Sequence, residues 1–401
     1  LLVNLARRSV AAVPETDINF PSNRMRDRAL VGLWLLCAAV LPAAAEPGVT
    51  DTAITIGQSI TLQAGKNAYG VAAQQGAKLY LDQVNAAGGV FGRKLVLRTL
   101  DDDNKSANAQ ANARTLIKDG AFLLFGSIEG GPSMEIVKVA VEAGVPFFGP
   151  MAGSPGLRRP HASMVFPVRA EHREEFRTLM AWGKSVGLKT VGFFHADSDT
   201  GREHLQNVNL LAQELGMQVV LPIPFKSDIT DAQMDLLVQA VAQTRPDIVF
   251  NHGSAGLYGK LISQAKKAGV KSNFMAVNSG SSQLAQNLGP LAAGMLFTQV
   301  VPSPWERKRE LTREYQDAAQ RADAKAEFTY GGLEGYMTAK ALVLALRAAG
   351  PGLSRAGFVR ALEAGQQFNL GGVKAQYRSG DHEGSRFVDL SMVARDGRFI
   401  H

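Results

Sequence analysis

From residue 51 onward, short apolar runs alternate with amphipathic segments, and this alternation constrains the fold more than any other feature of the chain. The runs are "AITIG" (53–57), "KLVLRTL" (94–100), "FLLFG" (122–126), "VPFFG" (145–149), "TVGFFH" (190–195), "DIVFN" (247–251) and "NFMAVN" (273–278). Each is brief and β-branched or aromatic, as strands of a sheet buried on both faces must be. Between them, Ala73, Gly76, Ala77, Tyr80 and Val84 share one helical face. So do Met234, Leu237, Val238 and Val241, and also Leu257, Leu261, Ala265 and Ala268. These stripes read as surfaces that pack on sheets. Glycines in "NAAGGVFGRK", "ELGM" and "KKAGVKS" punctuate the helix ends. The pattern predicts an α/β chain with doubly wound parallel sheets. The end of the chain, "VKAQYRSGDHEGSRFVDLSMVARDGRFI", reads instead as β-hairpins, with Asp396-Gly397 as a tight turn. With 401 residues, 46% of them hydrophobic, the chain is long enough for two domains. No low-complexity linker separates them, so the chain is expected to cross between them more than once.

The N-terminus has a different logic. Starting at Met25, a basic head (Arg26, Arg28) leads into an apolar run from Ala29 to Leu41 and the small residues Ala43-Ala44-Ala45. This is the pattern of a secretory signal with an A-x-A cleavage site, and the run is too short for a spanning helix of about 20 residues. Residues 25–45 are therefore expected to be a signal peptide, with residues 1–24 upstream of the true start and a mature start near Glu46. The one cysteine, Cys37, lies inside that segment, behind the bulky Leu35 and Leu36 rather than the small residues of a lipid attachment site. The exported chain would hold neither disulfide nor thiol catalyst. Residues 1–45 carry five Arg and three acids, so their loss lowers the formal charge from +7 to +5. No basic run interleaves with aromatic residues, which argues against a nucleic-acid partner.

Several stretches invite chemistry. "LLFGSIEGGPSMEIVK" (123–138) runs from a strand through three glycines into a helix. It lacks the lysine and hydroxyl of a P-loop and the spacing of a dinucleotide fingerprint, and Glu129 would repel phosphate. Pro132 suits a first helical turn, and N–H groups around Gly131, Ser133 and Met134 would face a cleft above the sheet, where they favour a carboxylate or other polar acceptor. A plain strand-to-helix turn is the alternative. "FFGPMAGSPGLRRP" (147–160) is a second such loop, with backbone groups at Ala152, Gly153 and Ser154. Ligands in open α/β folds bind outside the carboxyl ends of strands, so the two loops could face one ligand. In "LDDDN" (100–104), Asp103 or Asn104 reads as a helix N-cap rather than a metal ligand. His195, Asp197 and Asp199 lie close in sequence, but no second histidine group completes a metal site. Neither a G-x-S-x-G elbow nor H-E-x-x-H occurs, and no catalytic residue, metal or cofactor is expected.

Taken together, "ITIGQSITLQAGKNAYGVAAQQGAKLYLDQVNAAGGVFGRKLVLRTLDDDN" (54–104), "LFGSIEGGPS" (124–133), "VPFFGPMAGSPGLRRP" (145–160) and "AAGMLFTQVVPSPW" (292–305) resemble the periplasmic leucine/isoleucine/valine-binding protein family. These are type I solute-binding proteins that feed ABC importers, and the resemblance covers essentially all of residues 51–400. It implies the type I periplasmic binding protein fold, with two lobes joined by three hinge crossovers near Pro167–Ala170, Gln299–Pro302 and Phe387–Leu390. The lobes would be 51–168 plus 302–387, and 169–301 plus 388–401. It also implies a periplasmic, non-enzymatic, monomeric carrier that closes on a small-molecule ligand and meets ABC permease subunits in the inner membrane. A sensing module of the same fold is the alternative, and an exported α/β enzyme using His195, Asp199 or His252 a further one.

The family's amino-acid site maps onto altered residues. The aromatic residue before a glycine is kept as Tyr69-Gly70. The serine that meets the ligand carboxylate falls at Gly130 or Gly131, and the next loop's threonine at Gly153, beside Ser154. Aromatic walls fall at Thr200 and near Ala255, and the acid that pairs with the ligand ammonium falls at Asn278. The resemblance thus implies a binding set of Ser59, Tyr69, Glu129, Gly130, Gly131, Ser133, Ala152, Gly153, Ser154, Thr200, His252, Ala255 and Asn278. Its wider, more neutral cleft suits an organic or aromatic acid, an amide or a larger amino-acid derivative rather than leucine itself.

Overall fold

The computed structural model describes residues 46–401 apart from Ser279. The expected signal segment and Cys37 lie outside the described residues. In chain order the elements begin β1 (Ala53–Ile60), α1 (Ala64–Ala86), β2 (Lys94–Asp101), α2 (Ser106–Lys118), β3 (Leu123–Phe125), α3 (Gly130–Ala143), β4 (Phe147–Phe148) and β5 (Val165–Phe166). There follow α4 (His172–Ser185), β6 (Thr190–Ala196), α5 (Asp199–Leu215), β7 (Gln218–Phe225), α6 (Asp231–Thr244), β8 (Ile248–His252), α7 (Ala255–Lys267), β9 (Asn273–Ala276), α8 (Ser281–Leu288) and β10 (Leu296–Gln299). The rest are α9 (Glu310–Ala322), α10 (Tyr330–Ala349), α11 (Arg355–Glu363), β11 (Ala364–Asn369), β12 (Lys374–Arg378), β13 (Asp381–Gly384), β14 (Asp389–Val393) and β15 (Phe399–Ile400).

A first sheet runs β2-β1-β3-β4-β5, all parallel. A second runs β15-β14-β10-β9-β8-β6-β7, parallel except that β14 and β15 are antiparallel. Both are doubly wound, and the apolar runs show why. In β3, Leu123 and Phe125 enter one core with α1, α9 and α10, while Leu124 enters another with α2 and α3. In β8, Val249 faces the core of α6, α7 and α8, and Ile248 and Phe250 face that of α4 and α5. Residues 364–384 form a separate antiparallel sheet, β11-β12-β13, whose Phe368, Ala375 and Tyr377 join the first sheet's core. The Asp396-Gly397 turn closes the β14–β15 hairpin, with the Ala394 N–H donating to the Arg398 carbonyl at 2.8 Å.

Helices α1 and α10 cross with almost no gap. A Cβ on Gly76 would lie 1.9 Å from the Gly332 carbonyl oxygen, and one on Gly335 would lie 1.8 Å from that of Ala73. The Gly76 stripe is thus a backbone-to-backbone seam.

β5, β7, β10 and β11 escape the sequence pattern, β7 and β10 for clear reasons. In β7, "QVVLPIPF", two prolines interrupt the run; they are tolerated because β7 is an edge strand with no partner on that side. In β10, the polar Thr298 and Gln299 are fully buried. The capping expectation for α2 is also corrected. Lys105 is the N-cap and makes no side-chain capping bond, while Asp103 and Asn104 lie in a turn at positive φ. The Asp102 carboxylate holds that turn, accepting from the Asn104 N–H at 2.9 Å and the Thr61 hydroxyl at 2.7 Å. Among the described residues, no helix is long and apolar enough to cross a membrane.

Candidate ligand-binding cleft

A cavity of about 840 Å3 lies where the carboxyl ends of both sheets meet. In each sheet the strand order reverses at one point, between β1 and β3 and between β6 and β8. The segments after those strands line the cavity: Ala64–Tyr69 and Ile128–Gly131 from the first sheet, and Ser198, Thr200, His252, Gly253 and Ala255 from the second. The strand ends thus bring together Tyr69, Glu129, Gly130, Gly131, Ala152, Ser154, Thr200, His252, Ala255 and Asn278 of the expected set.

Ser59, Ser133 and Gly153 are not part of the lining. Ser59 accepts from Asn112 Nδ2 at 3.2 Å beneath the sheet end. Ser133 is fully buried: its hydroxyl donates to the Glu129 carbonyl at 2.6 Å and lies 2.6 Å from the Ser127 hydroxyl. Its N–H is also taken by the Glu129 carbonyl, at 3.2 Å, so it is not one of the free amides expected at this helix start. Gly153 backs onto His172, whose ring carbon would lie 2.7 Å from any Cβ there.

Close contacts leave no room for a side chain at Gly130 or Gly153. A Cβ on Gly130 would meet the Ser154 Oγ at 2.4 Å, so the Ser154 hydroxyl fills the space of a side chain at 130. At Gly153 the His172 imidazole fills the space of a threonine. A hydroxyl and an imidazole thus occupy these two spaces, supplied by Ser154 and His172.

Arg169, His172, Glu175 and Glu334, which the sequence did not suggest, organise the floor. Arg169, just after β5, is 3% exposed and donates from Nη2 to Glu175 Oε1 at 2.8 Å. Glu175 is completely buried and accepts three more bonds: from His172 Nδ1 at 2.8 Å, the Asn278 N–H at 2.8 Å and the Thr298 hydroxyl at 2.7 Å. Burial alone would raise its carboxyl, but His172, Arg169 and the Asn278 amide outweigh that and bring it down to about 2. Since the carboxylate only accepts, His172 Nδ1 carries the hydrogen, which leaves Nε2 for another partner. On the other side of Arg169, at 3.8 Å, Glu334 accepts the Tyr69 hydroxyl bond. Burial raises the Glu334 carboxyl against the pull of Arg169. The Tyr69 hydroxyl is raised too, by burial and by Glu334.

The second-sheet wall is built of imidazoles. His172, His204 and His252 come from α4, α5 and β8, with ring centroids 3.6 Å apart for His204–His252 and 4.9 Å for His172–His252. Burial first, then neighbouring histidine charge, pushes His204 and His252 well below the usual range, so both are neutral at pH 7. His195, beside Phe193, makes only a 3.0 Å contact from Nδ1 to the Ala196 carbonyl, while Asp197 and Asp199 pair with Arg202. Asn278 donates from Nδ2 to Gln299 Oε1 at 3.0 Å, and its Oδ1 has no protein partner. At this point the cleft therefore offers an amide carbonyl and the neutral His252 ring, while Glu129 and Glu135 line it elsewhere.

A family model described as "Periplasmic binding protein" matches residues 53–398. The leucine-, isoleucine-, valine-, threonine- and alanine-binding protein of Pseudomonas aeruginosa is 25% identical over 236 residues, which is 57% of this chain and 62% of that protein. A Leu/Ile/Val-binding protein homolog of Brucella suis is 24% identical over 292 residues, 71% of this chain and 76% of that one. Among solved structures, a substrate-binding periplasmic protein from Ralstonia solanacearum superposes with a TM-score of 0.76 at 22% identity, over 86% of this chain and 99% of that one.

Proposed function

For a chain that belongs to the periplasmic binding protein family, we propose the role of ligand-capturing component of an ABC importer of the branched-chain amino acid type. It would act in the periplasm after signal cleavage near Glu46 and hand its ligand to inner-membrane permease subunits. The lobes divide, in this reading, into 51–168 plus 302–387 and 169–301 plus 388–401, and close by hinge motion on one small organic ligand. What carries the proposal is the single cavity at the switch points of both sheets, since a ligand held there touches both halves of the molecule.

The finer reading is an organic or aromatic acid, an amide or a larger amino-acid derivative, in place of leucine. Arg169, Ser154 and the first amides of α3 favour an anionic or strongly polar group at one end. Ile128, Met134 and Met151 offer apolar contact to its body. At their end of the cleft the neutral Asn278 carbonyl and the uncharged His252 ring offer no counter-charge to an ammonium, whose charge-assisted bond would be lost there, while the Glu129 and Glu135 carboxylates line the other wall. The purified protein, stripped of carried ligand, is to be screened by thermal shift against a panel of such compounds, with mass spectrometry of the ligand it carries from the cell. A carried organic acid or amide that raises the melting temperature supports the reading. Micromolar binding of leucine, isoleucine or valine overturns the ligand class. Failure of every small molecule, carried or added, overturns the capture role.

A further inference from the structure

Away from the cleft, the fold assembles a donor set that no sequence motif announces. His161 lies in the loop before β5, Glu363 ends α11 and His382 sits in β13. One ligand atom from each lies within 4.8 Å of the other two. His382 is 4% exposed, stacked on Phe166 at 4.1 Å, with the His161 ring edge-on to it at 4.4 Å. Its Nδ1 is 2.9 Å from the Val165 carbonyl oxygen. A carbonyl can only accept, so Nδ1 carries the hydrogen. Its Nε2 then faces Glu363 Oε1 at 3.1 Å. In the neutral ring this sets a nitrogen lone pair against a carboxylate, which is unfavourable unless a second proton or a cation lies between them.

We propose that His161, Glu363 and His382 form a binding site for a divalent transition metal of the Zn2+ type, with the fourth position left to water. Two imidazoles and a carboxylate are the donors such an ion takes. Ligands about 2.0–2.1 Å from a tetrahedral centre stand little more than 3 Å apart, close to the observed Nε2–Oε1 separation. The Nδ1–H bond to the Val165 carbonyl is the outer contact by which metal-bound histidines are usually fixed. His161 is exposed and gives the ion a way in. The bound metal would clasp the β11–β13 sheet to β5, next to where the Ser385 N–H donates to the Val168 carbonyl at 2.9 Å. None of its donors lines the cleft.

The test is equilibrium dialysis of the tag-free protein with Zn2+ at neutral pH, with thermal melts of the same samples. The parent is expected to bind one ion at this site and to melt higher with it. His161→Ala and Glu363→Gln, both at accessible positions, should bind at least about 10-fold more weakly and lose the thermal gain. His252→Ala, in the cleft, should keep the Zn2+ affinity. Absence of saturable Zn2+ binding in the parent overturns the proposal. So does binding that both variants retain, or binding that His252→Ala abolishes, which would assign the ion to the cleft imidazoles.

Discussion

Glu175 shows how much one buried charge can organise. Its four bonds join the segment after β5, the first turn of α4, the end of β9 and strand β10. Glu175→Gln keeps the shape but leaves Arg169 buried without its carboxylate partner, and such a break costs about 3–5 kcal/mol. Urea unfolding at pH 7 should show a loss of that size. The carboxyl titrates near 2 in the folded protein against 4.5 when unfolded. Its share of stability, about 3 kcal/mol, is therefore present above pH 4.5 and lost as pH falls towards 2. The parent should show this acid phase in a pH series of unfolding curves, and the variant should not. Both should share a separate decline as pH falls through 6.5, because His204 and His252 are held below that value when folded and take up protons on unfolding. None of this was visible in the sequence. Glu175 stands in "EHREEF" among other charges on an ordinary amphipathic helix, and two of its four partners, Asn278 and Thr298, lie more than 100 residues away. Local pattern carries no sign of such a meeting. The same holds for Ser154 and His172, which occupy the spaces beside Gly130 and Gly153.

At the scale of elements, the sequence was most readable where burial is two-sided. β1, β3, β6 and β8 declare themselves because both faces enter a core, whereas edge strand β7 hides behind its prolines and β10 behind buried polar residues. The α1–α10 seam lies between these cases. Its stripe was legible, but the closeness of the crossing was not, since glycine in a helix can equally be incidental. Gly76→Ala should be destabilising despite its better helix propensity. The added methyl would stand 1.9 Å from the Gly332 oxygen, and forced overpacking of this kind costs about 1–3 kcal/mol or more. Chemical denaturation decides the sign: a gain of stability would mean that the helices part without cost.

For the whole molecule, the division of the chain between two sheets bears on how ligand capture could be observed. Trp305 follows the passage from β10 back towards the first sheet's core, and it sits 5.1 Å from Tyr330, which lines the cavity. On its other side its ring is parallel to Phe399 of β15, 6.4 Å away, and Phe399 in turn meets Phe297 of β10 at 5.4 Å. The indole is thus wedged between a cleft residue and the second sheet while 45% of it stays open to water. In the proposed closure, rotation of one half against the other would change its solvent contact. Ligand addition should therefore alter Trp305 emission in a Trp182→Phe background, and an unchanged spectrum at saturating ligand would argue against closure. Such a response would make Trp305 a built-in optical gauge, timing the proposed opening and shutting of the cleft without any attached dye.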